Sequence, residues 1–154
     1  MAEDVTIRRA TDRDLEELLA LLAATDLPDD GVREYLDGFV VARDPAGRLV
    51  AAAGVERHGR TGLLRSVAVA PDLQRSGLGS RLVARALEEA AREGLDEVVL
   101  LTTTARAFFA ERFGFREADR SAYDATLARS PEWRLPRCSS AAFLRLSLRG
   151  AGAS

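Results

Sequence analysis

Lysine is missing from this chain altogether: all 22 of its basic residues are arginine. Against 24 acidic residues the formal net charge is −2, so no basic face is expected to attract nucleic acid. The missing lysine also excludes a phosphate-binding P-loop, which needs Lys followed by Ser or Thr after its second glycine. A single cysteine, Cys138, excludes an internal disulfide and is compatible with a reducing cytosol. No stretch approaches the run of about 18–20 apolar residues that a membrane span needs, so no membrane partner is expected. The start, Met1-Ala2-Glu3-Asp4, is acidic and lacks the apolar core of a secretory signal. The expectation is one soluble cytoplasmic domain over residues 1–149 with a frayed tail at 150–154, long enough to bury a real core.

The pattern along the chain is mixed α/β. Val5-Thr6-Ile7-Arg8 alternates as a half-buried strand. Thr11 with Asp14 three residues on is a capping-box pattern, and Leu15, Leu18, Leu19 and Leu22 then form one helical face. Residues 32–36 read as a second short helix, followed by strands at 39–42, 49–56 and 63–69 whose short loops predict antiparallel pairing. A helix from Gly77, closed by Gly94, leads to a strand at 97–102, which predicts a parallel pair with the strand before it. A helix over 105–113 ending at Gly114, a strand from Phe115, and a short helix over 121–129 with its own Ser121/Asp124 capping pattern follow. The last strand spans about 142–148, able to pair across a dimer or to finish the sheet.

Between a buried strand ending at Val69 and an amphipathic helix lies Gln74-Arg75-Ser76-Gly77-Leu78-Gly79. Two glycines at the mouth of a helix let backbone N–H groups approach an anion, and the helix dipole favours negative charge there. A dinucleotide fingerprint would need a third glycine where Leu82 stands. The chemistry is therefore that of a pyrophosphate cradle of another kind.

The cradle, preceded by Val67-Ala68-Val69-Ala70-Pro71, resembles the signature Q/R-x-x-G-x-G/A of the GNAT family of N-acetyltransferases. Ile7-Arg8-Arg9-Ala10-Thr11 and Phe108-Phe109-Ala110-Glu111-Arg112-Phe113-Gly114-Phe115 add two further matches. Within that family, Leu64 to Pro71, Leu100-Leu101-Thr102-Thr103-Thr104-Ala105 and the stretch from Pro131-Glu132 to Cys138-Ser139-Ser140-Ala141 are similar to a bacterial subgroup labelled arsenic-resistance N-acetyltransferases. The resemblance implies an α/β fold with a central mixed, mostly antiparallel sheet, splayed strands and flanking helices. It implies acetyl-CoA as cosubstrate, no metal, and a small-molecule amine as acceptor, with an arsenical glutamate analogue, arsinothricin, as one candidate. Dimers are frequent in that family, so a homodimer is an open expectation.

For the cofactor, the resemblance assigns the backbone N–H groups of Arg75, Ser76, Gly77, Leu78, Gly79 and Ser80 to the pyrophosphate, with the Gln74 and Arg75 side chains at the rim. The backbone edge of Val67, Ala68 and Val69 would pair with the pantetheine amides, and a Val67 or Ala68 N–H would hold a developing oxyanion. Thr103 and Phe109 fall beside the same cleft. Phe109 stands where the family commonly has a proton-donating tyrosine, and Tyr123 would substitute only if its segment folds over the site.

Acetylation of an amine needs a proton acceptor. Glu56 is the best-placed carboxylate, with a solvated strand-end glutamate as the alternative. His58, the only histidine, reads as a surface turn residue. Arg65 and Ser66, with Thr102, are candidates for holding the acceptor, Arg65 through a substrate carboxylate or else as a surface salt bridge. One of Thr102, Thr103 and Thr104 caps the following helix. Cys138 reads as a small buried hydrophobe rather than an arsenic ligand. Acetylation of protein N-termini or lysines, and a CoA-binding module without catalysis, are the competing readings.

Overall fold

The structure, a computed structural model, describes residues 4–135 and 141–149, so Cys138 and the 150–154 tail lie outside the described residues. Its elements are β1 (Thr6–Arg9), α1 (Leu15–Ala24), β2 (Phe39–Arg43), β3 (Leu49–His58), β4 (Thr61–Val69), α2 (Leu78–Arg92), β5 (Glu97–Thr102), α3 (Arg106–Phe113), β6 (Arg116–Glu117) and β7 (Ala142–Ser147). They form one seven-stranded sheet in the order β1-β2-β3-β4-β5-β7-β6. Only β4 and β5 pair in parallel; the other neighbours are antiparallel. This is the mixed, mostly antiparallel sheet with flanking helices that the resemblance implies, with the one parallel pair that the strand–helix–strand pattern predicts.

Alternation along the strands sends side chains into two cores. The larger joins Leu18 and Leu22 of α1, Leu78, Leu82, Val83 and Ala86 of α2, and Val98 and Leu100 of β5. The smaller, on the other side of β5, joins Val99 to Leu63, Phe143, Leu127 and Trp133. The stripe of α1 is broader than predicted, because Leu21 is buried with Leu15, Leu18 and Leu22 while Leu19 is half-buried. The predicted capping box is present, with the Thr11 N–H donating to the Asp14 carboxylate at 2.8 Å. Asp14 is wholly buried and also accepts from Arg8 and Arg43, each at 2.8 Å, which ties α1 to β1 and β2.

Two predicted helices do not form. Residues 32–36 make turns that lead into a 3₁₀ segment at Leu36–Gly38, since so short a stretch gains too few hydrogen bonds to offset helix nucleation. Residues 121–129 form a 3₁₀ turn, Arg120–Tyr123, followed by further turns. There Asp119, not Ser121, provides the N-cap, accepting from the Ser121 N–H at 3.0 Å. This segment follows its side-chain anchors instead of a helical period. Leu127 and Trp133 enter the smaller core, and the Tyr123 hydroxyl donates to Glu97 at 2.8 Å. The last strand, β7, lies between β5 and β6 and so finishes the sheet from within.

Candidate active site

Parallel pairing of β4 with β5 runs only from Thr61↔Glu97 to Leu63↔Val99. Beyond it β4 continues to Val69 and β5 to Thr102 with no ladder between them, so the strands splay. A bulge in β4 accompanies the separation. Ala52 opposes Ala68 and Gly54 opposes Arg65, which leaves Ser66 and Val67 facing the single residue Ala53. Ser66 takes a left-handed φ of 58°, a strained conformation for a residue with a side chain. Such a bulge bends and twists its strand. The splay opens a cleft of about 320 Å³. Arg65, Ser66 and Val67 from β4, Thr102 and Thr103 from the end of β5, and Phe109 from α3 all line it.

Past the end of β4 the chain turns into α2 through the cradle. Gly77 is the N-cap residue in the left-handed region, φ 85°, and a Cβ there would meet no atom within 4 Å. The glycine is therefore required by backbone conformation, not by crowding. Arg75 is left-handed as well, at φ 68°, and exposed. The N–H groups of Leu78, Gly79 and Ser80 open the helix and have no intrahelical acceptor. Two cradle groups are placed differently from the expectation. The Gln74 side-chain amide donates to the Val69 carbonyl at 3.1 Å, bracing the cradle against the strand instead of reaching over its rim. The Ser76 N–H turns back to the Leu73 carbonyl at 3.3 Å.

Behind the cleft lies a buried polar network that the sequence did not announce. Glu56 and Arg65 sit diagonally across the β3–β4 hairpin, because Glu56 opposes Leu63 two residues before Arg65. Both side chains have 0% exposure, and Arg65 Nη1 lies 2.8 Å from Glu56 Oε2. The other Glu56 oxygen meets His58 Nε2 at 2.8 Å, and Ser130 also hydrogen-bonds this carboxylate. Burial pushes the Glu56 carboxyl up, but bonds from His58, Ser130 and Arg65 outweigh it and hold it below the usual carboxylate range. Arg65 further donates to Ser66 Oγ at 2.9 Å and to the carbonyls of Pro28 and Asp30, and its Nε lies 3.2 Å from Glu132 Oε2.

These contacts correct several expectations. Glu56 is neither a solvated strand-end residue nor part of the cleft lining; it is a sealed partner of Arg65. His58 is packed, its side chain 7% exposed and its ring 5.3 Å from that of Tyr35. Arg65 forms a buried ion pair, not a surface one. The hydroxyl of Thr102 accepts the Ala105 N–H at 2.9 Å in the turn before α3, whose N-cap is Ala105 without a side-chain cap, so no threonine of this run caps that helix. Tyr123 packs on Phe143 at 5.1 Å, away from the cleft, and Phe109 is buried against Phe108 and Phe115. The residue missed was Glu132, the one carboxylate lining the cleft among the described residues.

Residues 36–117 match the family model of the acetyltransferase (GNAT) domain. The chain belongs to the GNAT acetyltransferase family. An amino-acid acetyltransferase of Neisseria meningitidis is 30% identical to this GNAT chain over 124 residues, 74% of the chain but 28% of the relative's own length. The N-acetylglutamate synthase of Neisseria gonorrhoeae, solved with coenzyme A and L-arginine, matches 94% of the chain and 33% of its own at 25% identity and a TM-score of 0.72. The chain thus spans about a third or less of the length of these relatives. The fold alone is shared with the ribosomal-protein-S18-alanine N-acetyltransferase of Escherichia coli, with a TM-score of 0.67 and 20% identity over 93% of each chain. What the chain shares with these relatives is the GNAT acetyltransferase domain, and one of them was solved with coenzyme A bound.

Proposed function

We propose that this GNAT domain moves the acetyl group of acetyl-CoA directly to the primary amine of a small, amino-acid-like molecule in a ternary complex. The observation that carries the reading is the unpaired edge of β4 over residues 64–69, which leads through Pro71 into the left-handed turn at Gly77. That edge offers backbone N–H and C=O groups with no ladder partner on the β5 side, as a chain of ligand amides requires. The start of α2 offers N–H groups for a pyrophosphate. Acetyl-CoA, when bound, supplies an acetyl thioester.

In this arrangement Arg75, Gly77, Leu78, Gly79 and Ser80 hold the phosphates, and Gln74 keeps the cradle against β4. The backbone of Val67, Ala68 and Val69 holds the pantetheine arm, and a Val67 or Ala68 N–H faces the carbonyl oxygen. Thr103 and Phe109 wall the thioester end. Ser66 and Thr102 border the acceptor, while Glu56 keeps Arg65, and through it Ser66, in place. The amino-acid-like acceptor is favoured by the two Neisseria relatives and by the subgroup likeness, which adds arsinothricin to the candidates. We take the protein as cytosolic, with light scattering to decide between a monomer and a homodimer.

Free-thiol release from acetyl-CoA, screened with glutamate, other amino acids, arsinothricin, polyamines, aminoglycosides and short peptides, tests the proposal. Release with amino-acid-like compounds is the expected result. Release only with peptides would move the acceptor class. None with any acceptor, from a chain that binds CoA tightly, would replace the enzyme by a binding module.

A further inference from the structure

The lining of the cleft carries a charge pattern that the acetyl donor does not explain. Two carboxylates, Glu56 and Glu132, flank the single guanidinium of Arg65. In this trio carboxylates outnumber guanidinium two to one. Glu56 lies sealed behind Arg65, so Glu132 is the group of the three that brings negative charge to the cleft surface. Its side chain is 14% exposed, against 0% for Arg65.

Its position is built, not incidental. Ser130 on one side has 0% exposure, bonds Glu56, and accepts the Trp133 N–H at 3.1 Å. Trp133 on the other side is buried against Phe143, with ring centroids 5.4 Å apart. A turn clamped at both ends therefore aims Glu132 at the cleft that Val67 also lines. Arg65 is poorly placed to serve a substrate carboxylate as well, because its side chain has 0% exposure and four of its five N–H groups are directed at Glu56, Ser66 beside Glu132, and two backbone carbonyls.

We propose that Glu132 receives the acceptor: its carboxylate binds the incoming ammonium group and takes its proton, with Arg65 as the residue that positions it. The inference rests on the proposed amine acetylation. The step is a proton transfer only. One N–H bond of the ammonium breaks, an O–H bond forms on Glu132, and the nitrogen keeps the electron pair it needs to act as a nucleophile. Charged or titratable groups near Glu132 include Arg65 of β4, Glu56 and His58 of β3 behind it, and Arg120, whose guanidinium lies 4.8 Å from the Trp133 ring centre.

The test compares wild type with Glu132→Gln, which keeps size and hydrogen bonding but removes the charge. NMR shift titration of the CoA-saturated chain with n-butylammonium, and separately with 1-butanol, isolates recognition of the ammonium. Wild type should bind the amine at least about tenfold tighter than the alcohol, and Glu132→Gln should lose that preference while CoA affinity stays within about twofold. With the best acceptor of the thiol screen, the variant should lose about 10²-fold or more in kcat/KM and regain rate as pH rises and free amine accumulates. Glu132→Asp should restore part of both. Preference for butylammonium that survives in Glu132→Gln would overturn the proposal. Should the wild type acetylate nothing yet show the preference, the acetylation reading fails and the ammonium site stands.

Discussion

Replacing Arg65 by methionine is the perturbation whose size the structure sets most clearly. The Glu56 carboxylate and the Arg65 guanidinium are both fully buried 2.8 Å apart, so Arg65→Met leaves a charge in the protein interior without its counter-ion. Breaking such a pair from one side costs about 3–5 kcal/mol. Glu56 keeps its bonds from His58 and Ser130, which places the loss near the lower end, about 3 kcal/mol. The carbonyls of Pro28 and Asp30 lose their donor as well, so the loop between α1 and β2 is unfastened from β4. For a domain of this size each kcal/mol moves the midpoint by about 2–4 °C, which gives a fall of about 6–12 °C by calorimetry. Urea unfolding should agree. Removing both charges with Glu56→Leu/Arg65→Met should recover part of the loss, because the fully sealed carboxylate goes with its partner and only the partly exposed Glu132 loses a neighbouring cation. A single Arg65→Met variant within about 1 kcal/mol of wild type would refute the idea that this pair organises the cleft wall.

Gly77→Ala puts a side chain at φ 85° with open space around it, so the cost is backbone strain of about 1–2 kcal/mol and not a clash. CoA affinity by calorimetry should fall about tenfold as the turn relaxes, with the fold retained. Hydrogen bonding from Arg8, foremost, and from Arg43 holds the Asp14 carboxyl well below the usual carboxylate range. A group depressed in the folded state adds stability that is present above its unfolded value, about 3.9, and lost as pH falls through the folded one. The urea midpoint should therefore drop steadily from about pH 5 toward pH 2, and Asp14→Asn should lower stability near neutrality and flatten that acid slope. Phe109→Ala empties a site walled by Phe108, Phe113 and Phe115 and should cost about 3–5 kcal/mol in urea unfolding.

The central strands β2 to β5 were legible in the sequence because they hold short apolar runs bounded by turn residues, and β1 because it alternates. The cradle was legible because a strand, a proline, two glycines and an amphipathic helix follow in order. Segments without a period were not. Residues 121–129 carry a local capping pattern, yet Tyr123, Leu127 and Trp133 answer to Glu97, Leu63 and Phe143, residues distant in sequence. The Glu56–Arg65 pair was within reach of the sequence. A hairpin turning at Gly59-Arg60 places the two diagonally on one face, next to His58. Glu132 was not, because only the clamp of Ser130 and Trp133 aims it at the cleft.

Hydrogen exchange of the chain with and without acetyl-CoA tests the central claim most directly, since it reports on the unpaired edge of β4 and the mouth of α2 together. The account predicts that acetyl-CoA slows exchange at amides within 64–69 and 75–80, leaving β1 and β2 unchanged. Tight binding of acetyl-CoA with no protection in either segment would contradict it.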